Sequence, residues 1–504
     1  MKKSTLKRIA AVAAAILLGC GSAAWQASAA EKKDTLVVAF SAEPTSMSTL
    51  DNELMESIYS AHLTNSFLVK IDPATMEPKC DLAESYELAS DTEYVFKLRK
   101  GVKFHHGKEF KAEDVVASIE NAKKYPGSMP YTQAIEKVEA LDDHTVKFTM
   151  TSPYPNLLYD LGFKCNFILP ADLLANGHDF ANKPVGTGPY KLMDWKRGEA
   201  LTYERFDDYF NKEEMPSIKT FVWRVIPEGT ARTIALEAGE IDLIFQVETA
   251  DITRLKENSK VTVEELTSVE NYALAFNADH KPFDDVNLRR AISHAIDREA
   301  IVIGALNGYG VPNATSVPKG YWGSTEEGAR EFDLDKAREY MKAWGGDPST
   351  VKLPILCWNE ELVRVATVVQ GCLEEIGIAV EVDPVDSATF SSRRASGENY
   401  VACFTLWSPS NAFNFVGRYH SSRRAWTVGS CNDEQVDELI GKMQVELNDE
   451  ARLKLIHQIV ARVNDLAVQP SVYQPIIFRA YSSNLAGVKF SAHGYADFHT
   501  AYWK

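Results

Sequence analysis

The chain has 504 residues, of which 45% are hydrophobic and 25% charged, and its formal net charge is −16 at pH 7. This length and hydrophobic content suffice for two or three domains with complete cores. The acidic balance argues against nucleic acid as a partner, because binding phosphates requires clustered Lys and Arg. Beyond the N-terminal segment, no apolar run is long enough to span a bilayer.

The cysteines do not form a metal-binding pattern. Six of the seven lie beyond Cys20, far apart and without CxxC spacing, so neither a zinc site nor a dense disulfide framework is indicated. Most are expected to be buried thiols, and a disulfide between Cys403 and Cys431 is the alternative to test first. We predict no metal and no cofactor.

The first 29 residues are predicted to be a secretory signal peptide. Basic residues precede the apolar run Ile9–Leu18, which is too short to cross a membrane. Two cleavage sites stay open: Leu17-Leu18-Gly19-Cys20 resembles a lipobox, in which Cys20 would be acylated, whereas Ala27-Ser28-Ala29 suits ordinary cleavage. We expect the mature protein in the periplasm, or on the outer face of the cell membrane as a lipoprotein that touches the membrane only through a lipid on Cys20.

The segment from about 50 to 170 is predicted to be a compact α+β unit. Glu93–Arg99 alternates apolar and polar residues, as a half-buried strand does, and Ala112–Ala122 places Val115 and Ile119 on one helical face. The strands Ile135–Ala140 and Thr145–Met150 flank a polar turn and indicate a hairpin.

The strongest turn signal is Lys183–Tyr190, with the sequence KPVGTGPY. Gly186 and Gly188 could cradle a phosphate, but a phosphate loop requires a following Lys-Ser/Thr and a helix, and here Pro189 and a strand follow. A structural turn is therefore favoured.

The pattern changes within Asn271–Ile301. Tyr272, Leu274 and Phe276 alternate as in a strand, and helical spacing begins after Asp284 and Asp285, either of which can cap the first helical N–H groups. Two interpretations stay open: a crossing between two domains, or an ordinary strand-to-helix connection within one.

Strands and helices alternate over the following chain, which favours βαβ units on a mostly parallel sheet. The segment Ser471–Lys504 returns to strand-like sequence and is predicted to rejoin the first body, giving two lobes linked by two crossings. The predicted elements are the strands Leu353–Trp358, Ala379–Val382 and Tyr400–Trp407 and the helices Glu360–Ile376, Glu434–Val445 and Asp449–Asp465.

Candidate ligand-binding residues follow two of these strands, because ligands of open α/β sheets lie at the carboxyl ends of strands. Asn359 also suits a helix N-cap, Arg423 and Arg424 also suit a solvated face, and His105-His106 suits a turn better than a metal site. The candidates are Trp358, Asn359, Trp407, Ser408, Ser410, Asn411 and Arg423.

A secreted hydrolase is the rival class of protein. The sequence contains no GxSxG and no HExxH motif, and paired carboxylates such as Glu360-Glu361 suit helix starts. We therefore predict a binding protein and not an enzyme.

Short blocks spread over almost the whole chain then identify a family. They are Leu82-Ala83-Glu84-Ser85, Leu98–Gly107, Ala112–Val116, Pro184–Tyr190, Phe276-Asn277, Pro282–Asp285, Arg289 and Ala295–Arg298. Their identity and order resemble the bacterial extracellular solute-binding proteins of family 5, the receptors of peptide and nickel ABC importers.

The resemblance implies an α/β fold of the two-lobed periplasmic-binding-protein kind (type II, cluster C), with an extra α+β domain inserted in lobe 1 and two hinge crossings. Implied hinge residues are Phe276, Asn277, Tyr473 and Gln474, and Asn277 is also a ligand candidate. The implied limits are 30–49, 171–276 and 474–504 for lobe 1, 50–170 for the inserted domain and 277–473 for lobe 2.

The implied function is that of a monomeric receptor, which closes on a peptide or peptide-like solute and delivers it to the permease subunits of an ABC importer. Peptide-binding relatives carry an Asp for the peptide ammonium in the loop after the strand ending in Trp, but Leu406–Phe415 contains no carboxylate. Since a buried ammonium requires a counter-charge, we expect a blocked or modified peptide, a glycan fragment or a metal chelate. A ligand sensor is the further alternative.

Overall fold

The computed structural model describes residues 33–50, 54–163, 166–278, 280–396, 400–407, 411–423 and 432–504. The predicted signal peptide with Cys20 lies outside these ranges, as do Ser408, Ser410 and Cys431. Across the described ranges, no helix combines the length and the apolar character needed to cross a membrane.

The strands fall into one large sheet, one four-stranded sheet and three short ribbons. In chain order they are β1 (Thr35–Phe40), β2 (Val69–Ile71), β3 (Pro78–Cys80), β4 (Ala83–Ser90), β5 (Glu93–Leu98), β6 (Ile135–Asp142), β7 (Thr145–Met150), β8 (Tyr190–Lys196), β9 (Ala200–Arg205), β10 (Thr220–Val225), β11 (Leu243–Ile244), β12 (Val261–Thr267), β13 (Asn271–Phe276), β14 (Gly310–Pro312), β15 (Lys352–Cys357), β16 (Ala379–Pro384), β17 (Ala402–Trp407), β18 (Ser471–Ser482), β19 (Leu485–Ala486), β20 (Lys489–Phe490), β21 (Ala496–Asp497) and β22 (Tyr502–Trp503).

The helices connect these strands and cover the sheets. They are α1 (Met55–Thr64), α2 (Ala112–Ala122), α3 (Met129–Thr132), α4 (Leu157–Leu161), α5 (Ala171–Ala175), α6 (Gly229–Ala238), α7 (Ile252–Glu257), α8 (Val286–Ala295), α9 (Arg298–Leu306), α10 (Leu334–Trp344), α11 (Glu360–Glu374), α12 (Ser387–Ser396), α13 (Ala412–Gly417), α14 (Glu434–Val445) and α15 (Asp449–Leu466). Short 3-10 helices lie at Pro126–Ser128, Thr249–Asp251, Pro348–Thr350 and Ser421–Arg423.

One long strand, β18, joins the two halves of the large sheet. The strand order is β16-β15-β17-β13-β18-β11-β1-β10-β9-β8, and β12 and β14 also pair with β18. The first residues of β18 pair with β13 and β14, and its later residues pair with β11 and β12. We call β1 and β8–β12 with their helices lobe 1, and β13–β17 with theirs lobe 2.

The sheet of lobe 2 is mixed, which corrects the prediction of a mostly parallel sheet. β15 is parallel to β16 and β17, but β13 is antiparallel to both β17 and β18. The reason is topological: β13 carries the chain into lobe 2 and β18 carries it out, so the two strands run in opposite directions without a crossover helix.

The inserted domain packs the antiparallel sheet β4-β5-β7-β6 against α2. The alternation predicted for β5 buries Tyr94, Phe96 and Leu98 against Val115 and Ile119 of α2. This core begins at Leu68 and ends at Ile168. By contrast, α1, which the predicted limit at residue 50 assigns to the inserted domain, contributes Leu63 to the core of lobe 1.

Aromatic rings form the centre of lobe 1. The fully buried Trp223 stacks on Phe40 with 3.4 Å between ring centroids, and Phe40 lies 4.7 Å from Phe245. The Trp223 indole N–H donates to the Ala42 carbonyl at 3.1 Å, so this buried ring keeps its hydrogen bond.

The turn Lys183–Tyr190 packs backbone against backbone on the end of α1. Gly188 N donates to the Thr64 carbonyl at 3.0 Å. A Cβ on Gly186 would lie 2.3 Å from the Thr64 oxygen, and one on Gly188 would lie 2.5 Å from the Thr64 carbonyl carbon. The two glycines are therefore required for close approach, and the structural interpretation of this turn is confirmed.

Cys403 is a free, fully buried thiol on β17. It packs beside Leu356 and Phe390, and burial raises the pKa of its thiol to about 12. The suggested pairing with Cys431 is therefore wrong for this structure, because β17 turns the sulfur of Cys403 into an apolar cluster.

Candidate functional site

The two lobes are joined by a pair of crossings that lie side by side. The first is Ser268–Glu270, between β12 and β13, and the second is Gln474-Pro475 within β18. Ser268 N donates to the Pro475 carbonyl at 2.9 Å, which ties the crossings together. The first crossing thus precedes β13, and Phe276, predicted to be a hinge residue, lies at the far end of that strand.

Gln474, one of the residues of the second crossing, is fully buried. Its Nε2 donates to the Ser268 carbonyl at 2.8 Å and to the Lys319 carbonyl at 3.0 Å, while its Oε1 accepts from Lys319 N at 3.2 Å. One side chain therefore links both crossings to a loop of lobe 2. The neighbouring Tyr473 stacks on Tyr272 at 4.7 Å and donates to Glu361 at 2.8 Å.

We expect Gln474→Ala to lower the free energy of unfolding by about 2 kcal/mol, because buried backbone groups of Ser268 and Lys319 lose their partners. Urea denaturation of the purified protein measures this loss. Gln435→Ala, at an exposed position of α14, is the matched control and should stay within about 0.5 kcal/mol of wild type. Equal stabilities of the two variants would contradict the role of Gln474.

One of the two strand ends predicted to bind ligand lies next to the first crossing. Trp407, the last residue of β17, pairs with Asn271, the first residue of β13 after the crossing. Ser408 and Ser410, like the side chains of Trp407 and Arg423, lie outside the part of the chain that the structure describes, although Arg423 ends a 3-10 helix.

Asn411 lies on the surface where lobe 2 meets the inserted domain. Its side chain caps α13 by accepting from Asn414 N at 3.0 Å, and its Nδ2 donates to Asn156 Oδ1 at 2.6 Å. Asn156 precedes α4 of the inserted domain, so this hydrogen bond spans the two bodies. Next to it, the rings of Phe413 and Tyr154 meet edge to face at 6.0 Å. We call this contact the seam.

Trp358 and Asn359 occupy the equivalent end of β15. The Asn359 side chain accepts from Leu362 N at 2.8 Å and so caps α11, which was one of its two interpretations. Trp358 is half-buried, with its ring 6.1 Å from Phe390.

Asn277 does not belong to this end of the sheet. β13 and β17 are antiparallel, with Asn271 opposite Trp407 and Phe276 opposite Ala402. Asn277 therefore lies roughly 20 Å along the strands from Trp407, where its N–H donates to the Val401 carbonyl at 2.9 Å. The structure therefore separates Asn277 from the other ligand candidates, and its assignments to the ligand site and the hinge stay predictions.

A buried carboxylate, not identified from the sequence, lies at the centre of the seam. Asp160 on α4 is 1% exposed, and it accepts from Tyr154 at 2.6 Å, from Asn156 at 2.8 Å and from Asn414 of lobe 2 at 3.5 Å. It forms no ion pair with any described residue. Burial raises the pKa of Asp160 to about 7, although these hydrogen bonds oppose the rise.

A run of aromatic rings continues the seam toward lobe 1. His493 lies 5.8 Å from Tyr321 of lobe 2 and 6.2 Å from Phe163 of the inserted domain, and it stacks on Tyr495 at 6.3 Å. Tyr495 in turn stacks on His62 at 5.4 Å. These rings come from four distant parts of the sequence, and no local pattern marked them.

The histidine pair of the inserted domain serves a turn. His105 Nε2 lies 2.9 Å from the Gly188 carbonyl, and burial lowers the pKa of His105 to about 4. His106 instead lies 3.4 Å from Asp172. Over the described ranges, His, Cys, Asp and Glu do not form any group of three or more that could hold a metal ion.

The sequence family follows from comparison with known proteins. Residues 77–425 match the model of the bacterial extracellular solute-binding proteins, family 5. The chain belongs to this family. The predicted resemblance is thereby confirmed, and the two-lobed α/β fold with it.

Individual relatives of this family 5 protein cover most of its length. Heme-binding protein A of Haemophilus influenzae is 28% identical, with 86% of this chain and 85% of the relative covered. The dipeptide-binding protein of Escherichia coli is 26% identical, with 85% of each covered. The solved structure of DppA from Helicobacter pylori, in complex with the peptide STSA, superimposes with a TM-score of 0.78 at 26% identity and covers 94% of this chain and 98% of that one.

Proposed function

We propose that this protein is the extracytoplasmic substrate-binding receptor of an ABC importer, which captures a peptide or peptide-like solute between its lobes and delivers it to the membrane permease. The observation that carries the proposal is the seam: Asn411 and Phe413 of lobe 2 contact Asn156 and Tyr154 of the inserted domain, while lobe 2 is joined to lobe 1 only by two adjacent crossings.

Closure has a direct physical use in such a receptor. Polar contacts to a solute strengthen once water is excluded, and a closed surface gives the permease a means of distinguishing loaded from empty receptor. The crossings at Ser268–Glu270 and Gln474-Pro475 lie side by side, joined by the hydrogen bond from Ser268 N to the Pro475 carbonyl, and such paired crossings are where we expect lobe 2 to rotate.

Peptides are the first ligand class to consider, because relatives of similar length include a dipeptide-binding protein and a binding protein solved with the peptide STSA. A second candidate is a non-peptide solute such as a glycan fragment or a metal chelate. It is favoured by the loop Leu406–Phe415, which lacks a carboxylate for a peptide ammonium, and by the heme-binding relative.

The localisation rests on the N-terminal sequence and is part of the proposal. A secretory signal in residues 1–29 would export the protein, and acylation of Cys20 would hold it at the membrane. In either case we expect a monomer. Mass spectrometry of the mature N-terminus decides between a lipidated Cys20 and cleavage after Ala29.

Thermal unfolding of the mature protein, refolded from denaturant to remove bound solute, tests the receptor function. The panel contains free and N-acetylated peptides of two to eight residues, oligosaccharides and nickel chelates. A ligand at a thousand times its dissociation constant should stabilise the protein by about 4 kcal/mol. The same ligand should lower the radius of gyration in small-angle X-ray scattering, because it favours the closed form.

Free amino acids at equal concentration provide the control for nonspecific stabilisation. A panel in which no compound raises the unfolding midpoint would contradict the proposed function. A rise without compaction would leave binding intact but contradict capture by closure.

A further inference from the structure

We propose that a cavity between the inserted domain and lobe 1 binds a small primary ammonium ion, at a place separate from the cleft between the lobes. We call it the side cavity. Its lining includes Lys70 and Asp81 of the inserted domain and His62, Tyr209 and Asp497 of lobe 1. Of the described residues, none from lobe 2 lines it. The proposal therefore does not depend on the receptor function.

The first argument is the size of the side cavity. Its volume is about 60 Å³, and by the same measure a single water molecule requires about 10–15 Å³. The space therefore admits a solute of a few non-hydrogen atoms and excludes a peptide. Its polar lining suits a charged or hydrated occupant, because only apolar cavities of this kind stay empty.

The second argument is that the cations around the side cavity are already engaged. Lys70 Nζ lies 2.7 Å from Glu214 Oε2, and the His499 ring contacts the carboxylate of Asp497. The guanidinium of the nearby Arg99 donates to a backbone carbonyl at 2.6 Å. An anion that entered the cavity would therefore have to displace one of these partners.

Asp81, by contrast, has a buried carboxylate without a cation. It is 6% exposed and forms no ion pair with any described residue. One of its carboxylate oxygens accepts from Phe67 N at 3.1 Å, and the other accepts no hydrogen bond from the described residues. Burial raises the pKa of Asp81 above its ordinary value, although the charge of Lys70 opposes the rise. A desolvated carboxylate of this kind is stabilised by a charged donor.

The third argument is that two further polar groups of the lining make no hydrogen bond to the described residues. One is the hydroxyl of Tyr209, a residue that is only 1% exposed. Burial and the charge of Asp81 raise the pKa of Tyr209 well above its ordinary value. The other is the imidazole of His62, which stacks on Tyr495 at 5.4 Å. Burial lowers the pKa of His62 to about 4, so the ring is neutral at pH 7 and can accept a hydrogen bond.

These groups together match a primary ammonium ion. Such an ion donates three hydrogen bonds, and Asp81, Tyr209 and His62 each offer an acceptor. The ring of Tyr495, which also lines the side cavity, adds a face that attracts a cation. A quaternary ammonium ion carries the same charge without any N–H donor, so it should not satisfy these acceptors.

Saturation-transfer difference NMR of the full mature chain tests the proposal, with methylammonium as the probe. Wild type should bind methylammonium at least 10-fold more tightly than tetramethylammonium. Asp81→Asn should weaken methylammonium binding by roughly 10- to 100-fold, the loss of one charge-assisted hydrogen bond, while its amide oxygen can still accept from Phe67 N. Asp91→Asn, which removes an exposed carboxylate of the same domain, should bind as wild type does.

A second variant keeps the test decisive if Asp81→Asn does not fold. Tyr209→Phe retains the buried ring, removes only the hydroxyl and should weaken methylammonium binding several-fold. Far-UV circular dichroism of each variant, compared with that of wild type, shows whether it is folded.

Three results would overturn the proposal, and none of them bears on the receptor function. Failure of wild type to bind methylammonium shows a cavity that holds only water. Equal binding of methylammonium and tetramethylammonium shows nonspecific attraction to an acidic protein. Methylammonium binding that is unchanged in the folded variants places the ion elsewhere in the molecule.

Discussion

Asp160→Asn is expected to change how the stability of the protein depends on pH, because this carboxyl is buried without a cation. Its pKa is raised to about 7 in the folded protein, above the ordinary value of an unfolded chain. This carboxyl group therefore makes its full contribution to the stability of the folded protein below about pH 4. The contribution is lost progressively as the pH rises to about 7. The three-unit shift corresponds to a loss on the order of 4 kcal/mol.

The measurement is urea denaturation of wild type and Asp160→Asn at pH 5 and pH 8. The free energy of unfolding of the variant, measured relative to wild type, should be roughly 3 kcal/mol higher at pH 8 than at pH 5. The variant should still fold, because the Asn side chain can accept the hydrogen bond from Asn156. Asp207→Asn, which removes an exposed carboxylate paired with Arg205, should follow the wild-type profile. A stability difference independent of pH would show that Asp160 stays ionised in the folded protein.

Gly188→Ala is expected to destabilise the protein by about 3 kcal/mol or more. The added methyl group would lie 2.5 Å from the Thr64 carbonyl carbon, 2.6 Å from Asn65 N and 2.8 Å from the Leu63 oxygen. All three are backbone atoms at the end of α1, so no side chain can move aside. The turn Lys183–Tyr190 must therefore move away from α1, and the packing between this turn and the end of α1 is lost.

Chemical denaturation at neutral pH measures this effect. Gly441→Ala is the matched control, because it makes the same change within α14, where a Cβ meets nothing within 4 Å. A helical alanine in place of an exposed glycine should add about 0.5–1 kcal/mol of stability. If both substitutions changed stability alike, close approach would not be the reason for Gly188.

Elements with a local signal were predictable from the sequence. The helices Ala112–Ala122 and Glu434–Val445 begin and end as predicted, because apolar spacing and capping residues act within a few turns. Asp285, one of the two predicted caps, accepts from Asn287 N at 2.7 Å. The family blocks likewise carried enough information to predict the two-lobed fold.

The candidate site was less predictable, because it is made of contacts between distant segments. Asn411 was selected for following a strand, but its partner Asn156 lies 255 residues away. Asn277 lies at the other end of β13 from Trp407, because strand direction decides which end of a sheet a residue occupies. Asp160 belongs to no motif, and its burial depends on how the inserted domain meets lobe 2.

The long strand β18 also affects the order in which the protein can fold. Its residues complete the edges of β11 and β12 in lobe 1 and of β13 and β14 in lobe 2, with Leu243 opposite Tyr481 and Tyr272 opposite Tyr473. Pairing between residues so far apart in sequence is slow and must wait for the later strand. Both lobes therefore become complete together, and only after nearly all of the polypeptide has been synthesised.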